Sequence, residues 1–143
     1  MIRPVAQRIL VVEDEPAILD LVGQVLEEEG YQVTLASNGA VALEAIDSGA
    51  TFDLAVIDMW MPVVNGWQFA AALVDRGVFI PLLVMTAAKD ASAYASAVGA
   101  VGFIGKPFNL DQLLLAVRNG APPPIDRGRD TRPPPVRPPL VPV

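Results

Sequence analysis

Three segments of this chain are apolar at every position: ILVV at 9–12, LAVI at 54–57 and LLVM at 82–85. A strand with one wet face alternates apolar and polar side chains, whereas a strand covered on both faces has no polar position to spare. Around these runs lie stretches whose apolar residues recur at helical spacing. Pro16 sits where a first helical turn tolerates it, and Ile18, Leu19, Val22, Val25 and Leu26 follow as a stripe until Gly30 ends it. The pattern predicts strands over 8–13, 31–36, 52–58, 79–85 and 101–105. It predicts helices from 16 to Gly30, then over 38–47, 66–75, 91–98 and 109–118. Strict alternation of five strands with five helices, joined by right-handed crossovers, makes an α/β fold: a doubly wound, five-stranded parallel sheet covered on both faces. Ligands of such sheets bind at the carboxyl ends of the strands.

Composition changes sharply after Gly120. Nine of the 23 residues from 121 to 143 are proline, and Arg127, Arg129, Arg132 and Arg137 outnumber Asp126 and Asp130. Proline-dense backbone lacks donors for helix or sheet and favours extended polyproline II. The expected organisation is one domain over residues 1–120, folded over about 7–119, followed by a disordered proline-rich tail over 121–143. RPPPVRPP within that tail has PxxP-like spacing that suits an aromatic groove, although a solvated linker has the same composition.

Several classes of function are excluded by what the 143 residues lack. There is no cysteine and no histidine, so thiolate or histidine metal sites, cysteine nucleophiles and a Ser-His-Asp triad are ruled out. Any histidine phosphate chemistry needs a partner to supply the imidazole. Sixteen acids against ten bases leave a net charge of −6, concentrated in residues 1–120, which argues against a primary role on nucleic acid or anionic membrane. The longest uncharged run, 59–74, is interrupted by Pro62, Asn65, Gly66 and Gln68 and is too short to span a bilayer. The N-terminus reaches three consecutive acids by residue 15, unlike a secretory signal. The reading is a cytoplasmic protein whose partners are proteins or cations.

The predicted strand ends carry an unusual set of residues: Glu13-Asp14-Glu15 after the first strand, Asp58 after the third, Thr86 at the fourth and Lys106 after the fifth. Taken singly, an acid there is an ordinary cap or solvated turn, and Lys-Pro an ordinary turn. Together they converge on one crevice. Clustered carboxylates repel unless a cation is bound, and all-oxygen ligands suit Mg2+. The Asp58 carboxylate then has the means to attack phosphorus, with Mg2+ and the Lys106 ammonium neutralising the phosphoryl oxygens and Thr86 donating a hydroxyl hydrogen bond.

With these residues in order, 8–118 resembles the receiver domain of two-component response regulators. The matching stretches are ILVVEDEP, LAVIDMWMPVVNGWQF, LLVMTA and GAVGFIGKPF, with Pro62 and Gly66 four and eight residues after Asp58. The resemblance implies a flavodoxin-like fold. It makes Asp58 the phosphoacceptor, with Mg2+ bound by the Asp14 and Asp58 carboxylates and the Trp60 backbone carbonyl and reached by Glu13 through water. It places Lys106 on the phosphoryl group, before a cis bond to Pro107, and makes Thr86 and Phe103 a switch pair that reshapes the face of the fourth helix, fifth strand and fifth helix. Trp60 and Ala88 fall where family members control the approach of hydrolytic water, which implies a slowly self-dephosphorylating protein. The implied partners are a histidine kinase or histidine phosphotransferase and a downstream protein target.

Three departures stand beside the resemblance. The segment from Thr86 to Gly99 is two residues shorter than in chemotaxis-type regulators, with ASAYASA as a thin fourth helix. Residues 100–103 lack the paired acids of regulators that dimerise through that face. No output domain follows in the given chain, which points to a stand-alone receiver, either switch or relay carrier, or to a fragment of a larger regulator. A haloacid-dehalogenase-type phosphatase also uses a strand-end Asp with Mg2+, but it needs a second Asp two residues on, where this chain has Trp60. The expected activity is therefore not that of an enzyme; the chain catalyses only its own aspartyl phosphorylation and dephosphorylation.

Overall fold

A computed structural model describes residues 6–87 and 89–121. The elements run β1 (Arg8–Val12), α1 (Pro16–Glu28), β2 (Gln32–Ala36), α2 (Gly39–Asp47), β3 (Leu54–Ile57), α3 (Gly66–Asp75), β4 (Leu82–Thr86), α4 (Ala91–Ala97), β5 (Gly102–Gly105) and α5 (Leu110–Gly120). The five strands form one parallel sheet in the order β2-β1-β3-β4-β5.

The unbroken apolar runs have a direct packing explanation. Along β1, Ile9 and Val11 enter one core with Leu19, Val22 and Leu26 of α1 and Leu113 and Val117 of α5. Leu10 and Val12 point the other way, into a core with Ala42 and Ile46 of α2, Phe69 and Leu73 of α3 and Ala95 of α4. β3 and β4 divide their residues in the same alternating manner. Burial of each large aliphatic or aromatic side chain contributes about 1.5–3 kcal/mol, so neither face tolerates a polar substitution cheaply.

Side chains fix most of the helix starts. Asn65 and Gln68 form a reciprocal capping box at α3, Asn109 and Gln112 form another at α5, and Asn38 caps α2. α3 closes at Gly77 (φ 65), where the Val78 N–H returns to the Leu73 carbonyl. Two helices lack such a cap: α1, which starts on Pro16, and the short α4. α4 has seven residues, all Ala or Ser apart from Tyr94, and Asp90 makes no side-chain cap.

Among the boundaries that shift, two have a direct physical reason. β4 starts at Leu82 rather than at 79, because Phe79 is exposed and Pro81 has no N–H to give to a ladder. At the other end, the Tyr31 hydroxyl donates to the Ala121 carbonyl at 3.2 Å and Ala121 is buried, so packing reaches one residue past Gly120. The rest of the proline-rich segment, and with it the PxxP reading, lies outside the described residues. Among the described residues no helix is long and apolar enough to cross a membrane.

Candidate functional site

The ladder register places the strand-end residues. Val12 pairs with Ile57, so Glu13 and Asp58 leave the sheet side by side, and the Asp58 N–H still donates to the Val12 carbonyl at 3.2 Å. Thr86 pairs with Gly105, and the Lys106 N–H donates to the Thr86 carbonyl at 2.9 Å, so the lysine enters from the far side of β4. The Lys106–Pro107 bond is cis.

Asp58 is the centre of the resulting cluster and is 6% exposed. The Lys106 ammonium donates to its Oδ2 at 2.8 Å, and the Trp60 N–H donates to its Oδ1 at 3.0 Å, so both carboxylate oxygens are held. Lys106 also pairs with Oε1 of Glu13, whose other oxygen accepts from the Glu15 N–H at 3.0 Å. Glu13 is fully buried. Burial raises its carboxyl above the usual range, against the opposing effect of Lys106 and the Glu15 N–H. Burial alone would lower Lys106, but hydrogen bonds to Asp58 and Glu13 outweigh it and hold the ammonium above its ordinary value.

The carboxylates of Glu13, Asp14 and Asp58 each bring a ligand oxygen within 4.8 Å of the others, with Asp14 on the solvent side. One ammonium against three carboxylates leaves an excess of negative charge, and the donors are all oxygen. This donor set fits a hard divalent cation. Thr86 is fully buried, and its Oγ1 has no hydrogen-bond partner among the described residues. A buried hydroxyl without a partner costs about 1–3 kcal/mol, a cost that an arriving oxygen acceptor would relieve. Phe103, paired with Val84 in the β4–β5 ladder, is about half exposed. Ala88 lies outside the described residues.

The loop from β3 to α3 carries a feature with no signal in residue type. Val63 has φ 72, and the Val64 N–H donates to the Pro62 carbonyl at 2.8 Å, closing a γ-turn of the rare positive-φ kind. A β-branched residue is poorly suited to that region, and Val63 is exposed, so no packing compensates. Val63→Gly should therefore raise stability by about 1 kcal/mol, strain relief exceeding the added flexibility of the unfolded chain. A denaturant midpoint that is unchanged or lower at constant m would show that the turn is unstrained. Gly66 closes the same loop: its N–H donates to the Met59 carbonyl at 3.0 Å, and a Cβ there would lie 2.8 Å from the Met59 Cα.

A parallel sheet with a carboxylate cluster and one lysine at its carboxyl edge fits a signalling receiver domain. Residues 9–118 match the response regulator receiver domain, and the chain belongs to that family. It is 37% identical over 113 residues to the transcriptional regulatory protein TcrA of Mycobacterium tuberculosis, covering 78% of this chain and 44% of TcrA. It is 38% identical over 124 residues to the alkaline phosphatase synthesis transcriptional regulatory protein SphR of Synechococcus elongatus, covering 79% of this chain and 48% of SphR. The chain thus spans about half the length of these curated relatives. Among solved structures it resembles the chemotaxis protein CheY4 of Vibrio cholerae, with TM-score 0.72 and 32% identity over 80% of this chain and 98% of that one. It also resembles the response regulator TrrA of Thermotoga maritima, solved in complex with Mg2+ and BeF, with TM-score 0.69 and 35% identity over 80% of this chain and 98% of that one.

Proposed function

We propose that Asp58 accepts a phosphoryl group from a histidine kinase or histidine phosphotransferase, and that the charge it acquires changes the face of α4, β5 and α5 presented to a protein partner. The observation that carries this reading is a buried carboxylate clamped on both oxygens, by Lys106 and by the Trp60 N–H, with Glu13 and Asp14 beside it.

The clamp orients Asp58 so that one carboxylate oxygen attacks phosphorus while the phosphorus–nitrogen bond of the donor breaks and its imidazole leaves. Lys106 is already placed to follow the phosphoryl oxygens, because its ammonium lies against the oxygen that would carry them. The Thr86 hydroxyl, unpartnered and buried, gains an acceptor when a phosphoryl oxygen arrives; its movement would open the space that Phe103 fills. Asp14 and Asp58, with the Trp60 carbonyl, would hold Mg2+, and Glu13 would face it through water. Bound Mg2+ supplies charge neutralisation at the carboxylates and the phosphoryl oxygens. The complex of the related TrrA with Mg2+ and BeF supports the same ligand chemistry here. Onward transfer to a histidine protein would make the chain a relay carrier; binding of a target only in the loaded form would make it a switch.

Mass action provides the test. Mg2+ with beryllofluoride should raise the melting temperature of wild type above that in chelator, and Asp58→Asn should lose the beryllofluoride increment. Equal melting of wild type in chelator and in millimolar Mg2+ with beryllofluoride would contradict the site.

A further inference from the structure

Beside the acceptor site, Trp60, Trp67 and Tyr94 form a closed triad of edge-to-face rings. Trp60 and Trp67 have centroids 4.9 Å apart at 64°, Trp67 and Tyr94 5.0 Å apart at 73°, and Trp60 and Tyr94 6.0 Å apart at 79°. These are favourable aromatic geometries, worth about 0.5–1.5 kcal/mol per pair beyond area burial. The three residues come from three different segments: the loop after β3, the first turn of α3, and the middle of α4. Trp67 and Tyr94 are partly buried against the core, whereas Trp60 is 57% exposed. Its ring position therefore depends on the other two.

α4 has little else to hold it. Its buried residues are Ala91 and Ala95, and a seven-residue helix without a side-chain cap is marginal by itself. Tyr94 is its one large side chain, and it ends on the ring of the residue whose N–H grips Asp58 Oδ1. We propose that Tyr94 is a positioning residue for the acceptor site: through Trp67 and Trp60 it fixes the indole at the rim of the Asp58 pocket and so sets the lifetime of the phosphorylated state. This rests on Asp58 being the phosphoacceptor. Loss of the phosphoryl group is hydrolysis: a water oxygen bonds to phosphorus, the bond from phosphorus to the Asp58 oxygen breaks, and inorganic phosphate, the carboxylate and a proton are released. An indole held at the rim excludes that water; an indole set free does not. By linkage, a partner that displaces α4 alters the phosphoryl lifetime, and phosphorylation alters the hold on α4.

The experiment loads the full chain with acetyl phosphate and Mg2+, removes the donor, and follows first-order decay for wild type, Tyr94→Phe, Tyr94→Leu, Tyr94→Ala, Trp60→Ala and the double variant Tyr94→Ala with Trp60→Ala. Tyr94→Phe keeps the ring and should match wild type. Tyr94→Leu keeps apolar bulk for α4 yet loses the ring contacts, so it answers the question if the alanine variant fails to fold. Tyr94→Leu, Tyr94→Ala and Trp60→Ala should each decay at least about threefold faster, equivalent to roughly 0.6 kcal/mol in barrier. The double variant should be no faster than Trp60→Ala. Iodide quenching of indole fluorescence in the unphosphorylated protein should rise in the leucine and alanine variants at position 94 and not in Tyr94→Phe. Wild type that is phosphorylated but decays at the same rate as a folded Tyr94→Leu overturns the role of Tyr94, as do rate increases that multiply in the double variant. Wild type that takes up no phosphoryl group overturns the reading of Asp58, and the lifetime proposal falls with it.

Discussion

Replacing Asp58 by Asn should reduce phosphoryl incorporation from acetyl phosphate with Mg2+ to background while the fold stays intact. An amide oxygen is a poor nucleophile toward phosphorus, and the change leaves the volume of the site unchanged. The Trp60 N–H retains an acceptor, and Lys106 retains Glu13, so the side chains around position 58 keep partners. The expected observation is a far-UV circular dichroism spectrum like that of wild type together with no base- and hydroxylamine-labile phosphate. Undiminished incorporation in the Asn variant would move the acceptor elsewhere.

Lys106→Met should have the largest effect on stability. Lys106 is the one cation paired with Glu13 and Asp58 among the described residues, and Glu13 is fully buried. Removing it leaves two adjacent carboxylates with their repulsion unrelieved and one of them cut off from water. The expected loss in chelator is about 3 kcal/mol, toward the low end for a broken buried pair because the cluster opens to solvent at Asp14. Mg2+ should recover part of that loss, since a divalent cation on the same carboxylates replaces the missing positive charge. Urea denaturation of both proteins with chelator and with Mg2+ measures all four stabilities. A variant as stable as wild type in chelator would mean that the carboxylates are not held by Lys106.

The fold was legible because a parallel sheet with helices on both faces imposes an unusual pattern, and 9–12, 54–57 and 82–85 satisfy it without a polar interruption. Exposure was less legible: Phe79 and Ile80 read as strand by hydropathy alone, yet both precede β4 and Phe79 is exposed. The convergence of Glu13, Asp14, Asp58 and Lys106 could be expected from topology, because each follows a strand of one sheet. Which carboxylate Lys106 would meet was beyond sequence reading, since Glu13 and Asp58 are neighbours only through the β1–β3 register. Trp60 stood out by its place two residues after Asp58, but its ring partners lie 7 and 34 residues away, and only packing unites them. Val63 illustrates the opposite case. Its residue type argues against positive φ, so no local rule could have placed the γ-turn there.

The most direct test of the account is to find the phosphoryl group. Wild type phosphorylated with acetyl phosphate and Mg2+ is treated with borohydride, which reduces an aspartyl phosphate to homoserine, and its peptides are sequenced by mass spectrometry. Homoserine is expected at position 58, and none when Mg2+ is chelated. Reduction at Asp14, Glu13 or any other acid with Asp58 untouched would contradict the account.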